Sequence, residues 1–245
     1  MKYEYAVFDV DGVMCKEDKN LSPHSIQAIH MLENKGINVF YASGKHPWYT
    51  TGGLRFSGLL KESTIVVGEN GGHILFPKER RSHLYPDHRE DVEHIREAFH
   101  TEYPALIYDG SVLWEEPKTT IFTLFPKNAN VIPSLEGWLK EMIEKEGLHL
   151  YTIPHKDAVD VIPKGLSKAY ALRYLEKKNY IKVKKTVAFG DGMNDYEMLK
   201  EVEFPVTVSN AHTEIKSLVK KRRGFIAEQS YGKGVLEAVE NLIGE

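Results

Sequence analysis

Aspartates stand at the points where this sequence passes from apolar runs into polar turns. Asp9 and Asp11 close the run Tyr5–Val10 in Asp9-Val10-Asp11-Gly12. Asp191 and Asp195 frame Gly190-Asp191-Gly192-Met193-Asn194-Asp195, directly after Thr186–Phe189. Ser43-Gly44 follows the run Ile37–Ala42, and Lys168 opens a periodic segment after Ser167. An aspartate inside an apolar run is expensive unless it is paired. Carboxylates crowded together repel, and a hard divalent cation is the usual remedy, with oxygen-only donors favouring Mg²⁺ over zinc. An electrophilic phosphoryl group completes the logic. The ion, Lys168, Ser43 and backbone N–H groups would neutralise its oxygens while a carboxylate attacks phosphorus. Positions i and i+2 of a strand point the same way, so Asp9 and Asp11 can address one substrate.

These residues need elements to converge. Tyr5–Val10, Ile37–Ala42 and Thr64–Val67 read as buried strands by length and β-branched content. A helix with Ser22 as N-cap and Pro23 at its first position runs to Gly36, and a second spans about Pro47 to Leu60. Strands alternating with helices predict a parallel sheet with right-handed crossovers. From about Ser82 the pattern changes. A charged helix over Asp87–Tyr103 precedes strands at Leu106–Tyr108, Val112–Trp114 and Thr119–Phe125. A helix over Val131–Lys145 follows, then strands at Leu148–Ile153 and Ala158–Ile162. That is the pattern of an α+β layer. After Ser167 the alternation returns: a helix to about Lys178, strand Thr186–Phe189, and a helix from Asp195. Strand Pro205–Val208, a helix from Thr213, strand Phe225–Ala227 and a helix from Gly232 complete it. The expected fold class is α/β. Its Rossmann-like parallel-sheet core takes residues 1–82 and 161–245, and an α+β domain, 83–160, is inserted. Ligands of such sheets bind at the carboxyl ends of the strands, where the aspartates, Ser43 and Lys168 fall.

At 245 residues and 28.0 kDa the chain is long for one compact domain and short for two large ones, in keeping with a core plus an insert. A net charge of −3 and a pI near 6.4 give no electrostatic reason to bind nucleic acid or an anionic membrane. No apolar run approaches the roughly 18 residues of a membrane span. Acids interrupt the first apolar stretch, which argues against a signal peptide. The one cysteine, Cys15, excludes an internal disulfide and a thiolate zinc cage, and a reducing cytoplasm is expected.

The stretch Phe8–Gly12 resembles the first motif of the haloacid dehalogenase-like phosphatases. Ala42-Ser43-Gly44 resembles their second, Lys168 their third and Gly190–Asp195 their fourth, in that order. The insert is similar to the cap of the Cof-type subgroup. Gly68-Glu69-Asn70-Gly71-Gly72 and Ser230-Tyr231-Gly232 look most like the archaeal phosphoglycolate phosphatases within it. The resemblance implies an Mg²⁺-dependent phosphatase of a small phosphorylated metabolite, phosphoglycolate first and sugar phosphates next, acting as monomer or homodimer. Asp9 would be the nucleophile that becomes an aspartyl-phosphate and also a metal ligand. Asp11 would be the acid and base, with its backbone carbonyl on the metal. Ser43 and Gly44 would bind the phosphoryl oxygens, and Lys168 would offset charge between phosphate and nucleophile. Asp191 would ligate the metal, Asp195 would ligate it or orient a bound water, and Asn194 would hold the phosphate or Lys168. Val13 stands where the family commonly has Thr, a residue that serves mainly the local turn.

Plainer readings compete. Asp-Gly is a frequent turn dipeptide, Asp191 and Asp195 suit a helix N-terminus, Ser43 could be a cap, and lysines are usually solvated. Lys220–Arg223 reads as complementing a helix dipole rather than binding nucleic acid. Gly44-Lys45 and Gly232-Lys233 lack the spacing of a phosphate-binding loop. Cys15 has no basic cluster or His partner to make it reactive. The alternatives carried forward are a phosphosugar mutase on the same core and a non-catalytic binding protein. In the insert, Trp114, Glu115, Lys118, His155 and Lys156 fall near strand ends, from which a closing cap would reach substrate.

Overall fold

The structure, a computed structural model, describes residues 2–16, 20–103 and 113–244. The chain divides into two compact units, Met1–His83 with Ser167–Glu245, and Leu84–Leu166. The strand expected at Leu106–Tyr108 lies outside the described residues, as does Val112 of the one after it.

In the larger unit the chain runs β1 (Tyr5–Asp9), α1 (Pro23–Asn34), β2 (Asn38–Ala42), α2 (Pro47–Phe56), β3 (Val66–Gly68), β4 (His73–Phe76) and β5 (Arg81–Leu84). The sheet order is β12-β11-β10-β1-β2-β3-β4-β5, with β10 (Thr186–Phe189), β11 (Phe204–Thr207) and β12 (Phe225–Ile226) completing it. Pairing is parallel from β12 through β3, and the chain reverses into β4. β1 therefore sits between β2, its next strand in sequence, and β10, reached only after the insert. The chain leaves β1 in one direction and returns on the other side, which opens a crevice at the strands' carboxyl ends.

Period-two alternation sends Ala6 and Phe8 to one face of β1 and Val7 to the other. The first face packs with Ile29 and Leu32 of α1 and Val235 and Val239 of the last helix. Val7 packs with Leu172, Leu175, Ile215 and Val219 on the second. Helices thus cover both faces, as an uninterrupted apolar strand demands. α1 begins as expected: the Ser22 side chain accepts the His24 N–H at 3.3 Å and Pro23 occupies the first turn. α2 stops at Phe56, short of the expected Leu60. The Leu59 and Gly58 amides turn back on the carbonyls of Leu54 and Arg55, closing the helix. The pair β4–β5 escaped the sequence reading because two four-residue strands flanking a turn carry almost no periodicity.

The smaller unit holds α3 (Arg89–Glu102), β6 (Leu113–Glu116), β7 (Phe122–Pro126), α4 (Ile132–Lys145), β8 (Leu150–Pro154) and β9 (Val159–Pro163). Its sheet is antiparallel, in the order β6-β7-β9-β8. Phe122, Leu124, Val159 and Val161 face α3 and α4 and form its core with Ile95, Phe99 and Leu139. The remaining helices, α5 (Lys168–Lys177), α6 (Tyr196–Glu201), α7 (Thr213–Lys221) and α8 (Tyr231–Gly244), belong to the larger unit. Among the described residues, no helix is long and apolar enough to cross a membrane.

Phe8 and Phe189 stack at 4.2 Å where β1 and β10 pair, both fully buried. Phe189→Ala is expected to destabilise the larger unit by about 3–5 kcal/mol, read as an earlier urea-unfolding midpoint.

Candidate active site

β1 ends at Asp9, which is 4% exposed, and β10 ends one residue before Gly190. Their direct pairing brings the two aspartate-bearing turns to one edge. Lys168 arrives from a third direction as the first residue of α5, whose N-cap is Ser167. Its side chain is fully buried. Nζ lies 2.5 Å from Asp9 Oδ1 and 2.6 Å from Asp195 Oδ1. The second oxygen of Asp195 accepts the backbone N–H groups of Asp191 (2.9 Å) and Gly192 (3.0 Å). Asp195 therefore holds the lysine with one oxygen and its own turn with the other.

Carboxylate oxygens of Asp9, Asp191 and Asp195 lie within 4.8 Å of one another. Burial, followed by the charge of Asp195, pushes the Asp9 carboxyl well above its ordinary range, and Lys168 only partly counters this. For Lys168, burial alone would lower the pKa, but Asp195 and Asp9 outweigh it and raise it. One ammonium thus stands among three carboxylates. An all-oxygen donor set with more negative charge than its lysine neutralises fits a hard divalent cation.

Asp11 stands beside this cluster. Its Oδ2 accepts the Ser43 hydroxyl at 3.5 Å, while Ser43 Oγ accepts the Lys45 N–H at 3.1 Å. Ser43 is held at the end of β2 by its own N–H on the Val67 carbonyl. Asn194 Nδ2 donates to Asn70 Oδ1 at 3.1 Å, and a Cβ on Gly44 would come within 3.2 Å of that same oxygen. Val13 is fully buried. Cys15 is also buried, with its thiol toward the Val10 carbonyl and Asp11.

Two glycines are dictated by close approach. Gly12 has φ +87°, and a Cβ there would sit 2.3 Å from Asp191 Oδ2. Gly71 has φ +107°, and a Cβ there would meet the Ser167 carbonyl oxygen at 2.1 Å, so the start of α5 rests directly on the Glu69–Gly72 turn. Asn210 was missed in the sequence. Its amide donates to Gly12 O at 2.8 Å and approaches Asp191 Oδ2 at 3.5 Å, while its Oδ1 accepts the Tyr231 N–H. Its position just past β11, at the same sheet edge, is the signal that could have found it.

In the smaller unit Lys118 is buried, with Nζ 2.8 Å from Glu116 Oε2 and 2.9 Å from Thr123 Oγ1. Thr123 donates to Asp160 Oδ1 (2.6 Å), and His155 Nε2 lies 3.1 Å from Asp160 Oδ2. Glu116, Thr123 and Asp160 are register neighbours across β6, β7 and β9. Glu115 instead binds Arg96 and His100, and Trp114 and Lys156 are exposed.

A family model described as haloacid dehalogenase-like hydrolase matches residues 6–108 and 108–239. A phosphoglycolate phosphatase of Methanobrevibacter smithii is 26% identical over 250 residues, covering 99% of this chain and all of the relative. An HMP-PP phosphatase of Yersinia pseudotuberculosis is 26% identical over 87% of this chain and 86% of its own. Among solved structures, a haloacid dehalogenase-like hydrolase from Bacteroides thetaiotaomicron superposes with a TM-score of 0.77. It is 18% identical, with 98% of this chain and 99% of the other covered.

Because the Asp9 pKa is raised in the folded chain above its ordinary 3.8, its ionised form opposes folding. That penalty is absent below the unfolded value and grows as pH rises toward the folded one. With metal chelated at pH 7.5, Asp9→Asn is therefore expected to melt higher than the wild type, by about 2–4 °C per kcal/mol relieved. A lower melting temperature would contradict the electrostatics described here.

Proposed function

The chain belongs to the haloacid dehalogenase-like hydrolases, and from that premise we propose that it is a phosphoric monoester hydrolase releasing phosphate from a small metabolite through an aspartyl-phosphate on Asp9. The observation that carries this reading is the Lys168 ammonium held between Asp9 and Asp195, with Asp191 in the same cluster and Asp11 beside Ser43. The larger unit, Met1–His83 with Ser167–Glu245, acts as the catalytic core and the smaller unit, Leu84–Leu166, as the inserted cap domain.

Lys168 engages Asp9 Oδ1, which fixes the carboxylate and leaves Oδ2 as the attacking atom. That oxygen forms a bond to phosphorus as the bond to the leaving alkoxide breaks, and Asp11 gives its proton to the departing oxygen. Asp11, now ionised, takes a proton from water as the water oxygen attacks phosphorus. The Asp9–phosphorus bond breaks, inorganic phosphate forms and Asp9 is restored. Ser43, Gly44, Asn194 and Lys168 bind the phosphoryl oxygens throughout, donors set in place before charge develops. Asp9, Asp191, Asp195 and the Asp11 backbone carbonyl would hold Mg²⁺, which when bound neutralises charge on the phosphoryl oxygens. Phosphoglycolate is the first substrate candidate, since a relative of that name aligns along nearly the whole chain; sugar phosphates come next. A single cysteine suits work in a reducing cytoplasm, and the expected assembly is a monomer or homodimer.

Phosphate release from phosphoglycolate, sugar phosphates and an aryl phosphate, with Mg²⁺ and with chelator, tests the reading. Release is expected to require the metal, to disappear in Asp9→Asn, and to fall about 10²–10⁴-fold in kcat for Asp11→Asn. An isomerised sugar phosphate with little free phosphate would point to a mutase, and no turnover of any ester to a binding protein.

A further inference from the structure

We propose that His46, Glu69 and His73 form a second cation site in the larger unit, suited to a borderline divalent ion such as Zn²⁺ or Co²⁺ rather than Mg²⁺. Three segments converge to make it: His46 at the N-cap of α2, Glu69 directly after β3, and His73 at the start of β4. Glu69 is fully buried and His73 is 7% exposed, while His46 reaches solvent with about a quarter of its side chain.

The donor separations come close to those a small tetrahedral ion requires. His46 Nε2 lies 3.7 Å and His73 Nδ1 3.4 Å from Glu69 Oε1, and a donor atom of each residue lies within 4.8 Å of the others. Bonds of about 2.0–2.2 Å to a tetrahedral ion set its donors roughly 3.3–3.6 Å apart. The imidazole rings meet edge-on at 89° instead of stacking, which lets ring nitrogens converge on the carboxylate. The buried Nε2 of His73 has no hydrogen-bond partner, so the ring makes its polar contact through Nδ1, the atom turned to Glu69. Two imidazoles and one carboxylate are a donor set that soft and borderline ions accept and Mg²⁺ does not favour. This separates the site from the all-oxygen cluster of Asp9, Asp191 and Asp195.

Loading the ion balances without net proton release when both rings are neutral. Without it, His46 Nδ1 accepts the Trp48 N–H at 3.3 Å, so its proton resides on Nε2, and His73 directs Nδ1 at Glu69. With the ion bound, the His46 proton moves to Nδ1 and the His73 proton to Nε2, freeing the facing lone pairs. The long cap bond from Trp48 is given up. With three protein donors, the fourth position is left to water. Glu69 adjoins Asn70, which accepts from Asn194, so an ion here would fasten the turn that borders the phosphoryl-binding residues.

The test is Co²⁺ titration of the full chain in excess Mg²⁺, followed by visible absorption. One equivalent with the intense bands of four-coordinate Co²⁺ is expected. Those bands should vanish in Glu69→Gln and survive in Asp91→Asn, which removes the carboxylate shared by the surface pair His88 and His149. Should Glu69→Gln fail to fold by circular dichroism, His46→Asn keeps a helix-capping side chain while removing a ligand, and the same loss is expected. Absence of four-coordinate bands in the wild type, their persistence in a folded Glu69→Gln or His46→Asn, or their loss in Asp91→Asn would overturn the proposal.

Discussion

The larger unit depends on one buried cation. Lys168 belongs to α5, Asp9 to β1 and Asp195 to the turn after β10, so its two hydrogen bonds tie together segments separated by 159 and 27 residues. Burying the ammonium is costly, and it is tolerable because carboxyl oxygens of both aspartates accept its hydrogen bonds. Even so the carboxylates outnumber the ammonium. Asp9 retains a strong preference for its neutral form in the protein alone, and the three clustered carboxylates are groups that could hold a divalent cation.

The rest of the fold keeps that crowding in register. Apolar side chains on both faces of β1 and β10 lock the strands under helices, so the aspartates beyond them have little freedom. The turns are fixed in turn by polar atoms: Asp195 clasps the amides of Asp191 and Gly192, Asn210 bridges Gly12, Asp191 and Tyr231, and Asn70 accepts from Asn194. Gly12 and Gly71 leave the space through which neighbouring segments approach to atomic contact. Groups held this closely lose little entropy when a ligand arrives, which is where binding and catalytic advantage arise.

The smaller unit obeys the same rule in another setting. Lys118, Asp160 and His155 are charged or titratable groups on the sheet face away from α3 and α4. Burial alone would raise the Asp160 pKa, but Lys118 first, and then His155, hold it low. For His155 the Asp160 carboxylate outweighs burial and holds the pKa up. Of this cluster the sequence exposed only Lys118 and His155 to suspicion, because Glu116, Thr123 and Asp160 become neighbours through strand register.

What the sequence determined by itself was whatever depends on local order. The strand-helix alternation, the Ser22-Pro23 start of α1, strand Thr186–Phe189 and the grouping of aspartates, Ser43 and Lys168 at strand and helix ends could all be read from residue types and spacing. These follow from periodicity and turn chemistry, which act over a few residues. Tertiary structure decided everything that depends on distance in space. The reversal into β4 and β5, the pairing of β9 that carries the smaller unit on to Leu166, the turning of Asn194 toward Asn70, the bridging place of Asn210 and the meeting of His46 with Glu69 and His73 have no local signature. Each is set by which strands pair and how closely turns pack, because side-chain contacts between segments far apart in the chain exist only once the sheet has brought them together.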